Sequence, residues 1–142
     1  QSIGFETSLK EIIIPVSVTK ICESSFKGCS SLEKNMLPMS ISTIESKSFK
    51  GCSSLKEIII PVSVTRVCES AFERCSSLEK IMLPALADSI IETNSFKECN
   101  NLEEVTVCLQ TKVKRNAFYK CKKFNRLIVL SDELPSNEIN NQ

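Results

Sequence analysis

Eight cysteines and no histidine set the chemistry open to this chain of 142 residues. Five of the cysteines, Cys29, Cys52, Cys75, Cys99 and Cys121, recur at intervals of 22 to 24 residues. Thiols can bridge, hold zinc or attack an electrophile. Zinc calls for a close set of Cys or His ligands, and the chain offers no CxxC pair and no His. A catalytic Ser or Cys is usually activated by His. Three glycines in all leave no phosphate-cradling loop. No catalytic residue, metal site or cofactor is therefore expected. Cys108, outside the recurring set, is the thiol expected to react most readily.

The cysteine spacing belongs to a repeat. Leu9, Leu32, Leu55 and Leu78 lie 23 residues apart, as do Pro15, Pro38, Pro61 and Pro84, and Phe26, Phe49 and Phe72. A fixed period of this size indicates a solenoid, whose coils bury their apolar faces only by stacking. The unit reads S-L-x-x-I-x-I-P-x-S-V-x-x-I-x-x-x-A/S-F-x-x-C-S. Its I-x-I end alternates as a strand with one buried face does. Pro then ends the strand because it has no N–H to donate. The rest of each unit shows no sustained helical face and is expected to form turns or 3₁₀ pieces. Residues 1–142 read as one solenoid of about five 23-residue coils: a partial coil at 1–7, repeats over 8–130 and a polar tail at 131–142. In the partial coil Ile3 fills the Phe slot and Glu6 the Cys slot, and the chain is expected to be a piece of a longer array. The fourth coil carries one extra residue within Ala85–Ile90.

Stacking turns each position of the unit into a column with rungs about 4.8 Å apart. In the cysteine column, parallel Cβ vectors leave the Cβ atoms farther apart than the roughly 3.5–4.5 Å of a disulfide, so reduced core thiols are expected. Ser17, Ser40 and Ser63, just after the prolines, are expected to satisfy turn backbone. Two columns face outward on the strand. One runs Glu11, Lys34, Glu57, Lys80, Glu104, Arg126, and its alternating signs suit either coil registration or recognition by a partner. The other runs Ile13, Met36, Ile59, Met82, Thr106, Ile128, and alternation exposes it. It is either strand-forming filler or a contiguous apolar interaction stripe. The candidate partner-binding residues are Ile13, Met36, Ile59, Met82, Glu11, Lys34, Glu57 and Lys80.

Charge is nearly balanced, with 18 basic and 17 acidic residues, and shows no basic stripe of the kind nucleic-acid binders carry. No apolar run approaches the roughly 20 residues of a membrane span. A two-coil block is duplicated: SLKEIIIPVSVTKICESSFKGCSSLEK at 8–34 returns almost unchanged at 54–80.

These motifs resemble the BspA-like, or Treponema-type, leucine-rich repeat, above all the A/S-F-x-x-C-x-x-L-x-x-I-x-I-P signature over roughly residues 8–130. The resemblance implies a right-handed, mainly β solenoid with short parallel strands on the concave side and turns or 3₁₀ segments on the convex side. It also implies a protein-binding module of the surface-adhesin kind that uses its concave sheet. An intracellular scaffold or regulator binding a cytoplasmic partner is the alternative. The chain departs from the family pattern at Cys22 and Cys68, where Gly is common, and at Cys108, where the fifth coil lacks its Pro. The expected partner is another protein, a second copy included. Compartment stays open: the resemblance points to the cell surface, while reduced thiols and nine Asn without a glycosylation sequon point to the cytoplasm.

Overall fold

The computed structural model describes residues 8–85 and 88–131. The partial coil at 1–7, the tail from 132 and part of the fourth-coil insertion (86–87) lie outside them. The chain is a parallel β-solenoid of about five turns with almost no helix. Ten short strands alternate between two sides: β1 (Lys20–Ile21), β2 (Lys34–Met36), β3 (Thr43–Ile44), β4 (Glu57–Ile59), β5 (Arg66–Val67), β6 (Lys80–Leu83), β7 (Ser89–Ile91), β8 (Glu104–Cys108), β9 (Thr111–Val113) and β10 (Arg126–Leu130). The even-numbered strands come from the L-x-x-I-x-I segment. The odd-numbered ones form a second sheet, β1-β3-β5-β7-β9, where turns or 3₁₀ pieces were expected. Strands this short carry too little alternation to be seen in a sequence.

The second sheet is continuous through all five coils, in the registers Ile21↔Ile44, Ile44↔Val67, Val67↔Ile91 and Ile91↔Val113. The first is split. β2 pairs β4, β6 and β10 flank β8, and no ladder joins β4 to β6.

A third inter-coil ladder runs along the turn corner. Phe26, Phe49, Phe72 and Phe96 each donate an N–H to the following coil at 2.7–2.8 Å. Their neighbours two residues on, Gly28, Gly51, Arg74 and Glu98, do the same at 2.7–2.8 Å. The backbone turns these N–H groups toward the next coil by placing two residues per coil in the left-handed region. One column holds Ser24, Lys47, Ser70, Asn94 and Asn116; the other Gly28, Gly51, Arg74, Glu98 and Lys120. A side chain in that region costs roughly 1 kcal/mol, so eight non-glycine residues there show how strongly the ladder dictates the corner.

Inside, the columns stack as the repeat requires. Phe26, Phe49, Phe72, Phe96 and Phe118 form a run with ring centroids 5.2–5.4 Å apart, and the rings of Phe49, Phe72 and Phe96 stack nearly parallel to one another. Phe124 closes the run at 5.0 Å, tilted and only half-buried. The eight cysteines are unbridged. The column thiols have a partner instead: Cys52, Cys75, Cys99 and Cys121 each donate Sγ–H to the Phe carbonyl of the preceding coil, at 3.0–3.2 Å. Each of the Phe26, Phe49, Phe72 and Phe96 carbonyls also accepts the N–H three residues on. Cysteine therefore combines apolar bulk with a weak donor. Cys108 is buried within β8 and Cys22 is the exposed thiol, which reverses the expectation that Cys108 is the reactive one. Ser40 and Ser63 also depart from expectation, since their buried hydroxyls meet no partner. Turn carbonyls are capped elsewhere, by Ser25, Ser48 and Ser95 at 2.8 Å.

Two predictions follow from this stack. Phe72→Ala empties a fully buried site between two stacked rings and is expected to cost about 3–5 kcal/mol. Phe124→Ala, at the last coil, costs less because ends of a solenoid contact one neighbour. Urea unfolding compares them, and equal losses contradict the register.

The thiols provide the second. Burial, with a smaller contribution from Cys29, pushes Cys52 from 9.0 up to about 12. Above pH 9 the unfolded chain ionises this thiol and the folded chain does not, so stability present below 9 is lost as pH rises toward about 12. Cys52→Ala should flatten that decline in melts taken across the range. The five column thiols should all titrate after denaturation without reductant, and a lower count means that one of them is bonded.

Candidate functional site

Strand alternation turns the residues between the buried anchors of β2, β4 and β6 outward. Ile13 is 86% exposed, Met36 68%, Ile59 48% and Met82 50%. In register, Met36 sits beside Ile59. The column does not stay open along its whole length. Thr106 is only 5% exposed and Ile128 half-buried, because Thr106 is the short rung between Met82 and Ile128. The expectation of exposure fails there.

The charged column has the expected pairing: Lys34 opposite Glu57, Lys80 opposite Glu104 and Glu104 opposite Arg126. Among the described residues, the rung of this column at ion-pair distance is Glu104–Arg126, at 3.6 Å. Exposed pairs of this kind contribute between zero and about 1 kcal/mol. Glu11, Lys34, Glu57 and Lys80 are exposed, and their main contribution is a charge pattern at the surface.

The two interruptions of the first sheet open clefts. One, of about 370 Å³, lies where the first coil meets β2 and is lined by Glu11, Ile13, Lys34, Met36, Glu57 and Ile59, with Ile12, Ile14 and Asn35. The other, of about 400 Å³, lies between β4 and β6 and includes Glu57, Ile59, Lys80 and Met82. The eight residues singled out in the sequence thus lie along one face, on the walls of two neighbouring clefts.

Two features of this face go beyond the sequence reading, in which Asn35 is visible only as a departure from the slot of Ile12. Val16, Met39 and Val62 are exposed and make a second apolar row. Their 23-residue spacing directly after Pro15, Pro38 and Pro61 was the available signal. Asn35 is the other. It stands in the inward slot that Ile58 and Ile81 fill in later coils, and it is only 6% exposed. Its Oδ1 accepts the Met36 N–H at 2.9 Å, and its Nδ2 has no partner among the described residues. Asn35 thereby satisfies a strand N–H from its own side chain, at the place where the first coil forms no strand against β2.

Known proteins agree with this architecture. A family model described as a BspA type leucine rich repeat region matches residues 5–125 in six copies. The chain is similar in structure to a leucine rich cell surface protein from Faecalibacterium prausnitzii, with TM-score 0.80 and 26% identity over 92% of this chain and 34% of that one. It is also similar to a leucine rich repeat protein of T. pallidum, with TM-score 0.76 and 22% identity over 86% of this chain and 70% of that one. A leucine-rich repeat protein from Bacteroides ovatus gives TM-score 0.67 and 32% identity over 84% of this chain and 37% of that one. The chain thus spans about a third of the length of the F. prausnitzii and B. ovatus proteins. No curated protein matches it.

Asn35 gives the prediction that belongs to this face. Asn35→Ile installs the residue found at Ile12, Ile58 and Ile81 and removes a buried donor that has no partner among the described residues. It also removes the acceptor of the Met36 N–H, which the first coil must then supply. It is expected to stabilise the fold by about 1–3 kcal/mol. Chemical denaturation of the two proteins measures it, and a destabilised variant would show that the amide is structurally required.

Proposed function

We propose that this chain, which belongs to the BspA-type leucine-rich repeat family, binds another protein through the face carrying Ile13, Met36, Ile59 and Met82, bordered by Glu11, Lys34, Glu57 and Lys80. The observation that carries the reading is the exposure of four large apolar side chains in successive coils of one column. Soluble proteins rarely leave contiguous apolar surface of this kind without a use. Methionine adapts to a partner's contour, and the alternating charges fix which partner and in what register. The cell-surface description of the F. prausnitzii relative supports an adhesin role. The thiol column favours the second reading, an intracellular scaffold, because reduced thiols persist in reducing compartments. Surface labelling of the native protein on intact cells separates the two.

The test of the face itself is Ile59→Lys with Met82→Lys. Both side chains point away from the core, so circular dichroism should be unchanged. Association should weaken about tenfold or more, because each lysine places an unpaired charge in a surface that is dry when bound. Sedimentation of the wild type and the variant reads self-association first. A dimer unaffected by the variant places its interface elsewhere. If the wild type is a monomer, capture of cell-surface proteins by the two forms makes the comparison. Equal capture refutes the face.

A further inference from the structure

The balanced total charge conceals an asymmetry. Residues 112–126 hold seven of the 18 basic residues and no acidic one, which leaves 11 basic against 17 acidic residues for the rest of the chain. The sequence reading, which found no basic stripe, missed this because only the totals balance. The structure places these residues on one coil. Lys112, Lys114, Arg115, Lys120, Lys122 and Lys123 are all exposed. Among the described residues none of the six forms an ion pair. The carboxylates one rung away form their ion pairs in the other direction, although Glu98 also feels the charge of Lys120. Glu92, in the column of Lys114, pairs with Arg66 at 3.1 Å. Glu98, in the column of Lys120, pairs with Arg74 at 2.8 Å. Among the described residues Arg126, the seventh, is the one with an acidic partner, Glu104 at 3.6 Å.

The uncompensated charge adjoins a polar groove. A concavity of about 460 Å³ is lined by Gly51, Ser53, Arg74, Ser76, Glu98 and Asn100. Ser53, Ser76 and Asn100 are successive rungs of one column, and the next rung is Lys122. Short neutral hydroxyls and an amide therefore lead along the stack into the basic coil.

We propose that the fifth coil and this groove bind an acidic polysaccharide. The lysines and arginine take its sulfate or carboxylate groups, and the Ser and Asn rungs meet its hydroxyls. Other polyanions fit less well. Single-stranded nucleic acid needs successive aromatic platforms, and this surface has one aromatic residue, Tyr119, whose ring is already approached by Lys97 and Lys120 at 5.8 and 5.5 Å. A duplex needs an element that enters a groove, and here the basic residues sit on turns and on the three-residue strand β9, with Arg126 at the start of β10. An acidic protein would centre on exposed apolar residues, which here lie on the last strand, Leu127, Val129 and Leu130, and not among the Ser and Asn rungs of the groove. The surface is separate from the Ile13–Met82 face and stands or falls without it.

The repeat itself supplies a variant that should fold. Lys122→Ser with Lys123→Ser restores the residues found at the equivalent Ser76 and Ser77. Lys10→Gln with Lys27→Gln removes the same charge from the first coil and serves as control. Heparin and hyaluronan are titrated against the full chain by calorimetry, with duplex DNA in parallel at the same salt concentration. We expect heparin or hyaluronan to bind with an affinity that falls as salt rises. The Ser pair should weaken binding about tenfold, and the Gln pair by less than about twofold. Heparin alone assigns the sulfate, and hyaluronan binding assigns the carboxylate. Equal loss in both variants overturns the site in favour of general charge attraction. DNA bound as tightly as heparin overturns the choice of polymer, and no binding to either glycan overturns the proposal. Unchanged melting temperatures confirm that the comparison concerns binding.

Discussion

Every feature of this molecule depends on backbone hydrogen bonds between equivalent residues of successive coils. At the turn corner the N–H groups of Phe26, Phe49, Phe72 and Phe96 reach the next coil at 2.7–2.8 Å, and the left-handed residues around them exist to aim those donors. The bonds hold equivalent residues at one spacing, so each position of the unit meets the same environment throughout. Phe rings then stack on Phe rings, and the thiols of Cys52, Cys75, Cys99 and Cys121 find the carbonyl of the preceding coil's Phe. No coil has a core of its own. Burial is complete only with neighbours on both sides, which is why Phe72 is fully buried and Phe26, Phe118 and Phe124 are partly open.

The same constraint shapes the surface. A residue that turns outward in one coil turns outward in its neighbours too, unless the adjoining rungs cover a short side chain as at Thr106, so a single sequence position becomes a stripe along much of the stack. Ile13, Met36, Ile59 and Met82 are such a stripe, and Val16, Met39 and Val62 are another. The second sheet and the turn corner hold the coils together without interruption. The first sheet can therefore lose pairing at two places without loss of the stack, and its clefts open at those places. The proposed binding face lies on the side where the backbone is least tied.

The inward columns were legible in the sequence because each anchor recurs at a fixed interval: Leu32, Leu55, Leu78 and Leu102 are all fully buried. The outward stripe was legible as far as Met82 for the same reason. Beyond it the reading fails at Thr106, whose burial is set by Met82 and Ile128 on the adjoining strands rather than by its own alternation. The odd-numbered strands were not legible: Lys20–Ile21 and Thr43–Ile44 are too short to show a period. The break between β4 and β6 was not legible either, because Ile58 and Ile81 both occupy their slots correctly. Asn35 was visible as a departure from its slot, but its bond to the Met36 N–H required coordinates.

Solenoid geometry also explains how one chain can carry such departures. Each coil touches only its neighbours, so an irregularity is felt locally and does not disturb the register of the rest. Asn35 interrupts pairing between the first coil and β2, while β2 and β4 remain in register. The fourth coil absorbs an extra residue, and the second sheet still passes through it, with Val67 opposite Ile91 and Ile91 opposite Val113. Charge obeys the same logic: Lys122 and Lys123 stand in columns that hold Ser or Asn in other coils, and Lys120 in one that holds Gly, Arg or Glu, where side chains reach solvent without entering the core. Inward positions are thus bound by packing that spans the stack, while outward positions can differ coil by coil. An apolar face on the first four coils and a cationic surface on the fifth are compatible with one core because they make no demand on it.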